Sequence, residues 1–339
     1  MGTTTTETTR PRLAMTLGDL SGIGPELAVR LLASALNRDK ADVLLLASAD
    51  ELERFANEVG EAVPVSAHGE PGHVTLVGSR LADQPVERGV ASMAGGRRSM
   101  SDLLDCLDLF KKGRVDSIMF LPLNKSALHD AGMHEEDELR WFAKELGYKG
   151  VTSELNFAGG LTTSRVTSHC AIKEVPERVN ARSVFDAIRL LHEVISANGI
   201  DKPRLAVCAL NPHAGESGRF GREEIDHIVP GIRLARDSGI DASGPFPCDT
   251  VFIAARDGAY DGVVTMYHDQ GQIAMKLMGF DAGVTVQGGL PVPIATPAHG
   301  TAYGIVGQNK ANVGAAQQAF DIAVALGHRT VANRVGAGR

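Results

Sequence analysis

The strongest limit on how this chain can fold comes from its apolar runs, which hardly alternate and are separated by amphipathic stretches. DVLLLAS (42–48), DSIMFLPL (116–123), RLAVCAL (204–210) and GVVTMYH (262–268) carry few polar residues except near their ends. A strand with one wet face alternates apolar and polar residues. A run without alternation is a strand covered on both faces, as in a parallel sheet flanked by helices. RLAMT (12–16), HVTLV (73–77), SRVTSHC (164–170) and GVTVQ (283–287) add four shorter candidates. Between them the helical period predicts helices over 24–36, 49–59, 99–112, 136–146, 175–198, 223–238 and 311–326. In the helix at 99–112, Leu103, Leu104, Leu107 and Phe110 are expected to share the inner face, with Gly113 as its stop. Such alternation places the chain in the α/β class with mostly parallel pairing.

A length of 339 residues exceeds one ordinary core, and no repeat or long linker breaks it, so two lobes sharing a cleft are expected. A net charge of −7 gives no footprint for nucleic acid. No apolar run approaches the roughly 18 residues of a membrane helix. The opening MGTTTTETTRPR is a polar tail; Gly2 and Thr6 fit an acylation pattern, but no polybasic segment supports it. With no signal-peptide segment either, the cytoplasm is the expected address. Four cysteines without a CxxC spacing read as reduced thiols.

Of eleven histidines, His68, His73, His129, His134, His192, His227 and His328 lie in polar or helical surroundings and read as surface groups. His169, His213 and His268 instead each follow an apolar strand candidate. The carboxyl ends of strands line the ligand crevice of open α/β sheets. Three imidazoles delivered there, with one position left open, would make a catalytic divalent-metal site. Singly, each is better read as a hydrogen-bonded structural group; only the shared position of all three brings the metal reading level with that one. Asp269 follows His268 as a candidate relay or orienting acceptor. Asp249, before TVFIAA, reads either as a helix cap or as an active-site carboxylate. MTLGDLSGIGPELAVRLL places Gly22 and Gly24 in a turn before a helix, suited to holding an anion or simply to turning tightly. PAHGTAYGIVGQNKANVG (297–314) is a long polar loop of the kind that usually carries function.

Four segments together, GDLSGIGPEL (18–27), LNPHAGESGRFGREE (210–224), MYHDQGQIAMKLMGF (266–280) and HGTAYGIVGQNKANVG (299–314), resemble the 4-hydroxythreonine-4-phosphate dehydrogenase family of pyridoxal phosphate biosynthesis. The resemblance implies a two-lobed isocitrate/isopropylmalate dehydrogenase-like fold with mostly parallel sheets, a cleft between lobes, and a homodimer with its site near the interface. On that pattern 1–11 is a tail, 12–125 with 281–339 form the cofactor lobe, and 126–280 form the metal and dimer lobe. His169, His213 and His268 become the ligands of a divalent metal, zinc first, with Mg2+, Mn2+ or Co2+ as alternatives. Lys125, Asp249 and Asp269 become the catalytic groups. Asp19, Glu136, Asp137, Lys276 and Thr285 fall on the substrate side. Gly22, Gly24, His299, Gly300, Thr301, Ala302 and Asn312 fall on the NAD side, with NADP as the alternative cofactor. The implied reaction is metal-assisted, NAD-linked oxidation of a 3-hydroxy acid, followed by decarboxylation.

The sequence also departs from that pattern. EEDE (135–138) stands where the family has GHTE, Thr285 and Ile294 stand for an asparagine and an arginine beside phosphate, and Gly304 stands for an aspartate. These departures keep open a non-phosphorylated substrate such as an aromatic cis-dihydrodiol carboxylate. A phosphate acyltransferase-like enzyme and a two-lobed solute-binding module are the further alternatives.

Overall fold

The computed structural model describes residues 10–337, apart from 68, 83 and 280–282. Gly2, Thr6 and His68 lie outside the described residues. The chain divides into two compact units: one runs to Glu135 and resumes at Val292, the other is Glu136–Pro291. Both junctions fall roughly ten residues past 125/126 and 280/281.

The first stretch holds β1 (Arg12–Thr16), α1 (Gly24–Ala33), α2 (Ala35–Lys40), β2 (Asp42–Leu46), α3 (Ala49–Val59), β3 (Thr75–Leu76), α4 (Met93–Lys111), β4 (Ser117–Phe120) and α5 (Lys125–Asp130). The second unit contains α6 (Glu138–Glu145), β5 (Ser153–Ala158), β6 (Leu161–Arg165), α7 (Val175–Arg178), α8 (Ala181–Ala197) and β7 (Leu205–Cys208). It continues with α9 (Val229–Asp237), β8 (Ala242–Phe246), α10 (Cys248–Arg256), β9 (Gly262–Thr265), α11 (His268–Gly279) and β10 (Val284–Gly288). The chain then returns to the first unit with β11 (Ile294–Pro297) and α12 (Gly314–Ala337).

The strands of the first unit run β3-β2-β1-β4-β11, all parallel. Apart from its first residue, β2 is buried along its length, as a non-alternating run between two helical layers requires. α5 belongs to this unit because its backbone lies directly on α4: a Cβ on Gly96 would sit 1.9 Å from the Ala127 carbonyl oxygen. Gly96→Ala should therefore cost about 1–3 kcal/mol through overpacking, measured as a lower midpoint in denaturant titration. α4 starts earlier than the sequence indicates, at Met93, because Ser92 caps it by accepting from the Gly95 N–H at 3.1 Å. Its inner face is also rotated: Leu103, Cys106, Leu107 and Leu109 are buried, whereas Leu104 is exposed.

In the second unit the order is β10-β5-β6-β9-β7-β8. β10, β5 and β6 pair antiparallel, and the rest are parallel. Gly159 and Gly160, both at positive φ, close the two-residue hairpin between β5 and β6. That hairpin moves β6 to 161–165, earlier than SRVTSHC suggested. The expected helix at 175–198 breaks at Asn180, whose side chain caps α8. The one at 223–238 opens with a π-helical turn, Glu224–Ile228. Among the described residues no helix is long and apolar enough to cross a membrane, and all four cysteines are unpaired.

Candidate metal and catalytic site

In the second unit, β6 and β9 stay side by side after their ladder ends. The Val166 N–H donates to Thr265 O at 2.8 Å and the Thr167 N–H to Met266 O at 3.0 Å. This continuation carries His169 and His268 to the same place, and their ring centroids lie 5.6 Å apart. Neither residue is in a strand: His169 comes four residues after β6, and His268 is the first residue of α11.

The YHDQG segment now has a physical reading. Gln270 uses its Oε1 to accept from the Met266 N–H at 2.7 Å and its Nε2 to donate to Ala209 O at 2.8 Å, tying the exits of β9 and β7 together. Asp269 places Oδ1 2.7 Å from His268 Nδ1. Gly271 keeps α11 close, since a Cβ there would meet Thr265 at 3.2 Å.

His169 Nδ1 lies 3.2 Å from Glu136 Oε1 and 3.3 Å from Asp137 Oδ2. Among the described residues, ligand atoms of Glu136, Asp137 and His169 fall within 4.8 Å of one another. Asp137 is already committed elsewhere. It caps α6 by accepting from the Arg140 N–H at 2.8 Å and pairs with the Arg140 guanidinium at 2.6 Å. Glu136 also pairs with Arg140, at 3.1 Å. These carboxylates therefore suit orienting the imidazole better than binding a cation themselves.

His213 lies five residues past β7 in the turn Pro212–Gly218. The backbone is left-handed from His213 to Ser217, with φ of 53, 53, 77, 42 and 58°. Four of those five residues are not glycine, and each stores about 1–2 kcal/mol of steric cost. The His213 ring is exposed, 6.4 Å from that of Phe220.

Asp249 sits in the first turn of α10 without capping it; Pro247 is the N-cap residue and no side-chain cap bond forms. That leaves its exposed carboxylate at the end of the helix that favours negative charge. Lys276 is exposed two turns along α11 from His268. Between them Gln272 donates to Asn156 Oδ1 at 2.6 Å. Asn156 in turn donates to Thr285 Oγ1 at 3.2 Å. Buried Arg165 joins the same network, donating to Asn156 Oδ1 at 3.1 Å, to Ser168 Oγ at 2.6 Å and to Glu154.

In the first unit the residues singled out for cofactor and substrate gather around β1 and α1. A Cβ on Gly22 would meet the Thr301 carbonyl at 2.7 Å, one on Gly24 would meet Leu17 O at 2.0 Å, and the Ile23 N–H donates to Thr301 O at 3.0 Å. Asp19 is buried and accepts from the Ser21 N–H at 2.9 Å and from the Tyr303 hydroxyl at 2.6 Å. Burial, then the Asp19 carboxylate, holds the Tyr303 hydroxyl well above its ordinary pKa. Tyr303 lies within a loop the sequence marks as functional, but nothing in its spacing foretells the partnership. Lys125 opens α5, exposed, after Asn124 caps that helix by accepting from the Ala127 N–H at 2.9 Å. Of the remaining loop residues, Ala302 is left-handed at φ 45°, His299 Nδ1 lies 3.1 Å from Gly300 O, and Asn312 Oδ1 accepts from the Gly314 N–H at 2.8 Å, opening α12. Ile294 is fully buried in β11, in register with Ile118, and offers no cation.

The family described as pyridoxal phosphate biosynthetic protein PdxA matches residues 34–323. A Pseudomonas aeruginosa protein named, provisionally, 4-hydroxythreonine-4-phosphate dehydrogenase 2 is 49% identical over 327 residues, spanning 94% of this chain and 97% of its own. A Bradyrhizobium diazoefficiens protein, provisionally named D-threonate 4-phosphate dehydrogenase, is 36% identical over 336 residues, spanning 94% and 97%. The crystal structure of 4-hydroxythreonine-4-phosphate dehydrogenase from Klebsiella pneumoniae matches with a TM-score of 0.79 and 30% identity, over 94% of this chain and 99% of that one.

Proposed function

The chain belongs to the pyridoxal phosphate biosynthetic protein PdxA family and is an NAD-dependent dehydrogenase working with a divalent metal; from this premise we propose that it oxidises a four-carbon 3-hydroxy acid carrying a 4-phosphate. 4-Hydroxythreonine-4-phosphate and D-threonate 4-phosphate, the substrates in the names of its relatives, share that skeleton and differ at C2. The observation that carries the site is the meeting of His169 and His268 at 5.6 Å, each with a carboxylate at Nδ1. A carboxylate at Nδ1 favours the tautomer whose Nε2 lone pair is available to a cation.

These two imidazoles, with His213 as the third, would hold the metal, zinc being the ion their nitrogen set suits best. When bound, the cation supplies the Lewis acidity that makes the substrate's C3 hydroxyl acidic. Lys125, or Asp269 through a water, would accept the hydroxyl proton, and NAD, when bound, would supply the hydride acceptor. The 3-oxo acid then loses carbon dioxide. Asp249 sets the charge of the site. Lys276 and Thr285 face the phosphate end, and the Gly22–Thr301 turns with Asp19 receive the cofactor and substrate in the first unit. Ile253 on α10 and Ile273 and Leu277 on α11 are apolar and exposed, which supports a homodimer that covers them. The cytoplasm suits an enzyme that draws on NAD.

Dialysis against a chelator is expected to abolish NADH formation, and added Zn2+, Mg2+, Mn2+ or Co2+ to restore it. Activity that survives chelation, with no metal retained by elemental analysis, would defeat this reading. Comparing both phosphorylated acids with their dephosphorylated forms tests the substrate: equal kcat/KM for each pair would remove phosphate from it.

A further inference from the structure

The left-handed turn that carries His213 is held from one side by a single buried carboxylate. Glu224 is 3% exposed, at the start of the π-helical turn. Its Oε1 accepts from the Leu210 N–H at 2.9 Å and the Asn211 N–H at 2.8 Å, and its Oε2 accepts from Asn211 Nδ2 at 3.0 Å. Asn211 Nδ2 also donates to Glu223 Oε2 at 2.7 Å. Gly215, in the middle of the left-handed run, admits the same carboxylate: a Cβ there would stand 2.6 Å from Glu224 Oε2. The turn closes with the Phe220 N–H donating to Gly215 O at 3.2 Å.

Backbone this unfavourable persists only where its surroundings over-determine it. Here one carboxylate grips the two amides that enter the turn and packs against its centre. A buried carboxylate satisfied by N–H donors is a rigid anchor, since losing any donor leaves charge unsolvated.

We propose that Glu224 is a positioning residue for His213: it fixes the left-handed turn and thereby presents the imidazole to the metal. The proposal rests on His213 being a ligand. It makes no contact with substrate or cofactor a requirement. It gives a role to Glu224, the second acidic residue of GREE.

The test uses full-length protein and Zn2+ alone, titrated against a chromophoric chelator, with hydrogen exchange of the 210–217 peptide measured in parallel. Glu224→Ala is expected to weaken Zn2+ binding about 10–100-fold, the range for loss of a partner that orients a ligand. Exchange of 210–217 should rise and kcat should fall, while KM for NAD stays unchanged. Glu224→Gln keeps one carbonyl acceptor for the two amides and is expected to recover most of the affinity, which a general loss of folding would not allow. If Glu224→Ala does not fold, Asn211→Ala carries the test, expected to raise exchange of the turn and to weaken Zn2+ binding. His213→Ala separates the two readings. If it loses Zn2+ while folded Glu224→Ala (or Asn211→Ala, where Glu224→Ala does not fold) keeps parental affinity and parental exchange of 210–217, the positioning role is overturned and the ligand assignment stands. If His213→Ala binds Zn2+ like the parent, the ligand assignment falls and the proposal falls with it.

Discussion

His268→Ala is expected to lower kcat/KM for NAD-linked oxidation by about 10³-fold, since metal activation is worth several kcal/mol and each 1.36 kcal/mol is tenfold. The residue opens α11, where it faces solvent on one side and His169 on the other. It is not part of the hydrophobic core, so its loss leaves packing intact. Far-UV circular dichroism and the thermal midpoint should match the parent, and Zn2+ stoichiometry should fall. Asp269→Asn is expected to do less, because the amide still has an oxygen for Nδ1–H while the charge is gone; a 10–100-fold loss is the usual scale for such partners. If His268→Ala turned over at the parental rate with parental metal content, the site would lie elsewhere.

The largest effect on stability is expected at Arg98→Met. Arg98 is fully buried in α4, with Nη1 2.5 Å from Glu51 Oε1, Nη2 3.1 Å from Glu51 Oε2 and Nε 2.8 Å from Asp102 Oδ2. Removing the cation strands two buried carboxylates, at about 3–5 kcal/mol, and should lower the melting midpoint by about 10 °C. Adding Glu51→Gln and Asp102→Asn removes both stranded charges and should recover much of the loss. A single variant as stable as the parent would show that the charges are reached by water.

The same cluster fixes a pH dependence. Burial pushes the Asp102 carboxyl up from 3.8 to about 6, although Arg98 and Ser79 pull it down. A carboxyl whose proton is held more tightly in the fold contributes stability that is full below its unfolded pKa of 3.8 and is lost as pH rises through about 6. Without Arg98 the downward pull disappears and the loss deepens. Arg98→Met should therefore lie closer to the parent at about pH 5 than at about pH 8, which melting curves at the two pH values would decide.

Much of the architecture is legible in the amino-acid order, for a specific reason. β1, β2, β4, β7 and β9 are non-alternating runs buried on both faces, and burial is what an apolar run records. β5, β8 and β11 escape that reading: SELNFA and ASGPF mix polar, glycine and proline residues, and IATP ends in threonine and proline. Their places are set by partners far along the chain. β10 finds β5 across more than a hundred residues, a relation no local period can carry. α11 was hidden because its first turn, HDQG, carries the polar groups of the site and so breaks the amphipathic stripe.

The site shows the same division. The histidines stand out because apolar runs lead up to each of them, but the hydrogen bonds that carry two of them together, beyond β6 and β9, are backbone events that any side chain permits. The left-handed turn is illegible for a related reason. HAGES contains one glycine, and the four other residues adopt their conformation because Glu224 and its neighbours impose it.

The first unit is interrupted along the chain by the whole of the second. β4 cannot complete its pairing until β11 has been made, and α12, which packs on β1, β4 and β11, is later still. During synthesis, therefore, the unit begun first keeps an open strand edge at β4 until the residues after Val292 have been made. A chain cut off before Val292 would lack β11 and α12 and would leave the β4 edge of the first unit unpaired, the kind of edge that invites aggregation.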